Sequence, residues 1–115
     1  IKTHHPFGGV VPELASRNHL EKIIPVIEKA MGDAHLNWSD LEGIAVTCGP
    51  GLIGSLLVGL SAAKALSFSL DIPFYGVNHL EGHLLAIRLE NPTIAFPFIG
   101  LIVSGGHTPH TIKMD

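Results

Sequence analysis

The sequence predicts an α/β fold with a mainly parallel sheet flanked by helices. Apolar strand-like runs alternate along the chain with helix-like segments, and this alternation is the order in which βαβ units are built. Hydrophobic residues make up 46% and charged residues 15% of the 115 residues, which favours a buried core over a disordered chain. This length suits one domain of modest size.

The first half of the chain predicts a helix, a strand and a second helix. Residues 10–32 have apolar positions at three- and four-residue spacing, and Pro12 suits a first helical position. Pro25 should kink this helix or divide it in two. Residues 43–48 are apolar, partly β-branched and followed by Gly-Pro-Gly, which indicates a buried strand. The apolar residues 54–70 predict the second helix.

The second half of the chain continues the alternation. Residues 74–78 predict a second strand, and a helix is expected to follow from His79 to about Leu89. Residues 98–104 predict a third strand that ends before two glycines, and residues 110–114 are a candidate hairpin partner for it. The chain begins without methionine and ends just after this last segment, so we interpret it as part of a longer protein.

Charge, cysteine content and the N-terminal sequence restrict the class of protein. The net charge of −3 offers no cluster of Lys and Arg for phosphates, so any nucleic-acid surface should lie outside this portion. The single cysteine, Cys48, cannot form an internal disulfide, and no signal peptide opens the chain. A cytoplasmic location is therefore expected.

One segment, residues 52–70, is apolar and long enough to cross a membrane. Lys64 and four serines interrupt it, and strand-like sequences lie close to both of its ends. We therefore expect a helix buried in protein.

Residues 49–54, with the sequence GPGLIG, match the G-x-G-x-x-G pattern of dinucleotide-binding turns. The acidic residue expected at the end of the second strand is missing, because that strand ends in Asn78. Gly54 is followed by Ser55, so the lysine of a nucleoside-triphosphate loop is missing too. The pattern favours a tight strand-to-helix turn whose glycines let the helix pack close to the sheet. The helix N-terminus remains usable for an anion.

His79 and His83 are candidate metal ligands. Residues four apart on a helix share a face, so both imidazoles can reach one divalent cation. Two ligands do not complete a site, and His107 is the nearest candidate in the sequence for a further ligand. The alternative is two ordinary histidines at a helix start, one capping and one packed. Glu81 lies about 200° around the helix from His79, which disfavours a zinc peptidase of the H-E-x-x-H type.

The turn Ser104-Gly105-Gly106 follows the third predicted strand. Two glycines let successive backbone N–H groups turn inward and form an anion-binding nest, at the strand end where α/β proteins place ligands. A hairpin turn with glycine at positive φ is the alternative. Ser104 lacks the flanking G-x-S-x-G pattern, so an esterase nucleophile is not expected.

Four segments in this order, FGGVVPELASRNH, TCGPGLIGSLLVG, VNHLEGH and LIVSGGHT, resemble the TsaD family of tRNA adenosine threonylcarbamoyltransferases, formerly called O-sialoglycoprotein endopeptidases or glycoproteases. The resemblance covers nearly the whole chain. It implies an actin-like, Hsp70-like ATPase (ribonuclease H-like) fold of two α/β lobes, of which residues 1–115 are most of the N-terminal lobe. The first strand region and the C-terminal lobe are then absent, and this portion alone is expected to be inactive.

The resemblance also implies a reaction. A threonylcarbamoyl group is transferred from threonylcarbamoyl-adenylate to the exocyclic amine of the adenosine next to the anticodon, in tRNAs that read codons starting with A. One divalent metal ion, iron ahead of zinc, is expected on His79, His83 and an aspartate beyond Asp115, where it can orient the substrate and offset negative charge. His107 is the best local candidate for a general base. The residues implied in substrate binding are Ile102, Val103, Ser104, Gly105 and Gly106.

The same motifs resemble the bacterial members of the family, which implies a cytoplasmic protein. The expected partners are tRNA, threonylcarbamoyl-adenylate, a TsaB-like paralogue and a TsaE-like ATPase, with no membrane. The helix segment Ala15-Ser16-Arg17 is a candidate contact for the protein partners. Two other functions stay open: a non-catalytic scaffold or partner-binding paralogue, and a metallopeptidase, as the older family label says.

Overall fold

The computed structural model describes residues 12–103 and 110–114, which belong to two compact units that meet in the sequence between Val77 and Asn78. The first unit contains helix α1 (Pro12–Asp33), a 3₁₀ helix (Trp38–Asp40), strand β1 (Ile44–Gly49), helix α2 (Ile53–Leu70) and strand β2 (Phe74–Asn78). The second contains helix α3 (His79–Leu85), helix α4 (Ile87–Glu90), strand β3 (Phe98–Ile102) and strand β4 (His110–Met114). The assignment of residues 1–115 to one lobe stays a prediction.

β1 and β2 form a two-stranded sheet, and α2 connects them. The Ile44 N–H donates to Pro73 O at 3.0 Å, and Cys48 Sγ lies 3.5 Å from Val77 O. Residue numbers therefore rise together along both strands, which defines a parallel pair joined by a crossover helix. The predicted α/β class is confirmed, and the predicted strand at residues 74–78 coincides with β2.

α1 is one helix of 22 residues. Pro12 occupies its first position, as predicted. A backbone N–H at this position would have no intrahelical acceptor, so proline loses no hydrogen bond there. Pro25 lies inside α1 without ending it, so of the two outcomes expected for this proline the division of the helix is wrong, and the kink stays a prediction. Proline removes one backbone hydrogen bond, and the packing of α1 against α2 offsets that loss.

Two glycines set how closely α2 approaches its neighbours. A Cβ on Gly54 would overlap Ser16 Oγ of α1, whereas a Cβ on Gly59 would lie 3.6 Å from Val46 Cγ2 of β1. In the turn before α2, Gly49 has a φ of 153°, a conformation that favours glycine. These features support the tight-turn interpretation, with one difference. Gly54 allows the close approach of α1 to α2, and not of the sheet to α2.

α2 is the helix that the sequence predicted at residues 54–70, but it is not buried within the described residues. Its mean hydropathy is 1.6, and by length and composition it could cross a membrane. Only Ala63 is fully buried, while Ile53 and Phe68 are 76% and 91% exposed. The prediction of a helix buried in protein is therefore not met by the described part of the chain. One face of α2 packs on α1 and β1, and the other is left open.

The second unit contains a β-hairpin and two short helices. β3 and β4 pair antiparallel, with Phe98 opposite Met114 and Ile102 opposite His110, which confirms the predicted hairpin. The helix predicted from His79 to about Leu89 is confirmed in extent but not in continuity, because a turn at Ala86, with φ −58° and ψ −27°, separates α3 from α4. The Ala86 N–H still bonds Gly82 O, and the chain then tightens, with the Leu89 N–H bonding Ala86 O three residues back.

The buried core of the described residues is small. Ala15 and Ala63 are fully buried in the first unit and Leu84 in the second. Many large apolar side chains are exposed, including Leu20, Phe68 and Ile99. The composition predicted a buried core, and most of the apolar surface available for one remains uncovered in this portion.

Candidate metal and substrate site

The site begins where β2 gives way to α3. Asn78 has extended backbone angles, φ −76° and ψ 127°, and its side chain caps α3. Asn78 Oδ1 accepts hydrogen bonds from the N–H of Leu80 at 2.9 Å and of Glu81 at 3.2 Å. These two donors are among the first-turn N–H groups that have no intrahelical partner. His79 is therefore the first residue of a helix with a well-defined start.

His79 and His83 converge, as their spacing predicted. Their ring centroids are 4.5 Å apart with the planes at 73°, and the two Nε2 atoms are 3.2 Å apart. Both side chains are exposed, and Asn78 supplies the cap. Neither histidine therefore caps α3 or is buried, as the alternative expected, and the metal-binding role of the pair stays a prediction.

The distance between the Nε2 atoms fits a shared metal ion. Zn–N bonds of about 2.0–2.1 Å at a tetrahedral angle place two nitrogens about 3.3–3.4 Å apart. The observed 3.2 Å is close to this separation, so the rings need little movement to hold one cation. Among residues 12–103 and 110–114, no group of three His, Cys, Asp or Glu side chains forms a complete ligand set. His107, the candidate further ligand, lies outside the described residues.

A cavity of about 530 Å³ in the second unit adjoins this pair. Its wall is mostly apolar and contains His83, Leu84, Ile87, Ile94 and residues 98–103. The structure thus brings His83 together with Ile102 and Val103, two of the predicted substrate-binding residues. The other three, Ser104, Gly105 and Gly106, lie outside the described residues, so the predicted backbone nest stays a prediction.

Glu81 belongs to a different part of the unit. It lines a separate cavity of about 230 Å³ together with Asn78, Leu80, Leu84, Ile112 and Met114. His79 and His83 do not border that cavity. This arrangement agrees with the helical geometry expected from the sequence. Glu81 is therefore not placed to act as a carboxylate base beside the histidine pair.

Sequence reasoning missed several residues of the site. An Asn directly before a helix is an N-cap signature, so the role of Asn78 had a readable signal. The wall residues Leu84 and Ile87 follow Leu80 at helical spacing, which indicates an apolar face but not what the face covers. Ile94 lies in a connection and had no such signal.

The fold and the site define an α/β protein with a paired-histidine candidate metal site, of which His83 borders a cavity. The family described as "TsaD: tRNA N6-adenosine threonylcarbamoyltransferase" matches residues 1–113. The chain belongs to this family, as the resemblance of its motifs implied.

Curated relatives agree with the family match. A tRNA N6-adenosine threonylcarbamoyltransferase from Syntrophus aciditrophicus is 62% identical over 108 residues, which are 94% of this chain and 32% of the relative. Proteins of the same name from Clostridioides difficile and Trichlorobacter lovleyi are 58% and 56% identical, over 99% and 100% of this chain and 33% of each relative. The chain spans about a third of the length of the curated relatives it matches.

Proposed function

We propose that the full-length protein transfers a threonylcarbamoyl group from threonylcarbamoyl-adenylate to the exocyclic amine of the adenosine next to the anticodon, in tRNAs that read codons starting with A. The observation that carries the proposal is the convergence of His79 and His83, with Nε2 atoms 3.2 Å apart, beside a cavity that His83 shares with Ile102 and Val103. The relatives, which are named tRNA N6-adenosine threonylcarbamoyltransferases, support the class of reaction.

The metal in this proposal is one divalent ion, iron ahead of zinc. Exposed imidazole nitrogens suit either metal, and the separation of the two Nε2 atoms fits a shared cation. The third ligand in this proposal is an aspartate in the remainder of the protein, which leaves His107 free to act as the general base. When bound, the ion supplies positive charge that offsets the negative charge developing as the acyl–phosphate bond breaks.

The chain's own residues position the substrate. In the transfer, the amine nitrogen bonds to the carbamoyl carbon, the bond from that carbon to the phosphate oxygen breaks, adenylate leaves and the amine loses a proton. Leu84, Ile87 and Ile94 provide apolar contacts for the bound substrate at the wall of the larger cavity. In this proposal the backbone nest predicted from the sequence at residues 104–106 would bind the anhydride oxygens, and His107 would take the proton.

Protein partners are proposed to bind along α1. Ala15 is buried, and Ser16 faces α2, where it fills the space left by Gly54. Arg17 remains exposed and shares one side of the helix with Leu20 and Ile24, which are 66% and 55% exposed. This stripe of Arg17, Leu20 and Ile24 is the contact we propose for a TsaB-like paralogue or a TsaE-like ATPase. A cytoplasmic location suits a tRNA substrate and a chain whose cysteine is free.

The test uses the full-length protein with its partners. His79→Ala and His83→Ala should lose bound iron or zinc and lower the yield of modified tRNA by more than about 100-fold, because each removes a direct ligand. His19→Ala changes an exposed histidine on α1 and serves as the control. Metal analysis and mass spectrometry of tRNA nucleosides provide the readouts. Unchanged metal content in both variants would refute the proposal.

The same experiment separates the alternative functions. A scaffold would bind its partners equally well with and without the histidine substitutions and would form no modified tRNA. A metallopeptidase would cleave glycoprotein when pure and metal-loaded. We expect intact glycoprotein, because Glu81 lines the smaller cavity, away from the histidine pair.

A further inference from the structure

We propose that Asn78 is a positioning residue for the histidine pair, because its side chain fixes the first turn of α3 in the geometry that brings the two imidazoles together. The inference rests on the proposed function, since it assumes that the pair holds a metal ion. Asn78 does not touch the metal in this proposal. It acts through the backbone of the helix.

α3 is too short to be stable by itself. It has seven residues, and isolated helices shorter than about 12–15 residues are marginal in water. Two features hold it: Leu84, which is 7% exposed, packs on β3 near its end, and the Asn78 cap fixes its start. His79 lies at the capped start, one turn before the packed end.

The convergence of the imidazoles requires a helical backbone from His79 to His83. Residues four apart meet on one face only when the intervening turn is formed. Within that turn the N–H groups of Leu80 and Glu81 both point to Asn78 Oδ1. Without this acceptor the two donors turn to water, the first turn frays and His79 moves away from His83.

Of the first-turn side chains, only Leu80 packs against the unit, where it borders the smaller cavity. His79 and Glu81 are exposed, and Leu80 is half-buried. Among the described residues, the 3.2 Å contact between the two Nε2 atoms joins the rings to each other and not to the rest of the unit. The cap is therefore the hydrogen-bonded contact that fixes the first turn and, through it, the position of His79.

The experiment measures Co²⁺ binding to the metal-free full-length protein. Asn78→Ala should weaken Co²⁺ affinity by about tenfold or more, within the range expected when the support of a metal ligand is lost. Asn78→Ser keeps a good N-cap oxygen and should restore affinity to within about threefold of the natural protein. Asn78→Gln keeps the amide on a longer side chain that does not cap, and should resemble Asn78→Ala.

Two controls frame the result. Asn37→Ala changes the residue before the 3₁₀ helix of the first unit and should leave Co²⁺ affinity unchanged. The visible spectrum of bound Co²⁺ reports ligand geometry, so Asn78→Gln should alter it and Asn78→Ser should not. Should Asn78→Ala fail to fold, the comparison of the Ser and Gln variants decides.

The outcomes distinguish this inference from the proposed function. If His79→Ala binds Co²⁺ as tightly as the natural protein, the metal proposal fails and the positioning role fails with it. If His79→Ala loses Co²⁺ while Asn78→Ala and Asn78→Gln bind it with unchanged affinity and spectrum, the positioning role alone is overturned.

Discussion

Gly100 of β3 lies directly against Leu84 of α3. A Cβ added to Gly100 would overlap Leu84 Cδ2 and would lie 3.2 Å from Leu84 Cγ. Leu84 is the fully buried residue of the second unit among those described, and it directly follows His83. The absence of a side chain at position 100 therefore sets the distance between the histidine-bearing helix and the strand that leads to Ile102 and Val103.

Gly100→Ala should destabilise the full-length protein by about 1–3 kcal/mol, because the added methyl group overpacks the contact with Leu84. It should also widen the gap between α3 and β3 and lower transferase activity. Chemical denaturation and the yield of modified tRNA measure the two effects. Gly32→Ala is the matched control, since a Cβ at Gly32 meets nothing within 4 Å. Equal stability of the two variants would contradict the prediction.

Leu84→Ala should cost about 2–5 kcal/mol of unfolding free energy, because it leaves a cavity at a buried position. Leu89→Ala makes the same chemical change at a side chain that is 87% exposed, and it should change stability by less than about 0.5 kcal/mol. Urea denaturation of both variants provides the comparison. If the two variants lose stability equally, Leu84 is not the anchor of α3.

Much of this local structure could be predicted from the sequence. β2 coincides with the predicted residues 74–78, because an apolar run bounded by Pro73 and followed by a capping Asn78 has clear limits. The convergence of His79 and His83 follows from helical spacing alone. Both features depend on residues close in the chain, where the rules of periodicity and capping apply.

Other features depend on contacts that a single sequence does not reveal. Ala86 gives no signal of a helix break, since alanine is the best helix former. The contact of Leu84 with Gly100 depends on how β3 lies against α3, which is set by tertiary packing. The open face of α2, with Phe68 91% exposed, could not be predicted because burial depends on surfaces beyond the described residues.

Gly54→Ala should destabilise the first unit by about 1 kcal/mol, because its Cβ would overlap Ser16 Oγ and displace the hydroxyl from its hydrogen bond to Pro12 O. Removing the hydroxyl group should relieve the overlap, since Ser16 Cβ lies 3.4 Å from the added atom, an ordinary contact. The double variant Gly54→Ala with Ser16→Ala should therefore lose less unfolding free energy than the two single variants lose in total. A double-mutant cycle measures this coupling, and strict additivity would show that the two residues do not meet.

Glu81→Gln should leave the metal content of the full-length protein unchanged. The Glu81 side chain is exposed and borders the smaller cavity, while His83 borders the larger one. The backbone N–H that Asn78 caps is kept in this variant, so the histidine geometry is kept too. Metal analysis beside His83→Ala provides the comparison. Loss of metal from Glu81→Gln would place this carboxylate among the ligands.

Leu20→Glu combined with Ile24→Glu should weaken the binding of a TsaB-like or TsaE-like partner by more than about tenfold, because charges would replace apolar side chains at the centre of the proposed contact. Both residues are more than half exposed, so folding should be little affected. Lys22→Glu introduces the same residue about 200° around α1 from Leu20 and should leave partner binding unchanged. Pull-down and titration with purified partners measure the effect. Equal loss in the Lys22 variant would indicate a general response to negative charge, and unchanged binding in the double variant would exclude this face of α1 as the contact.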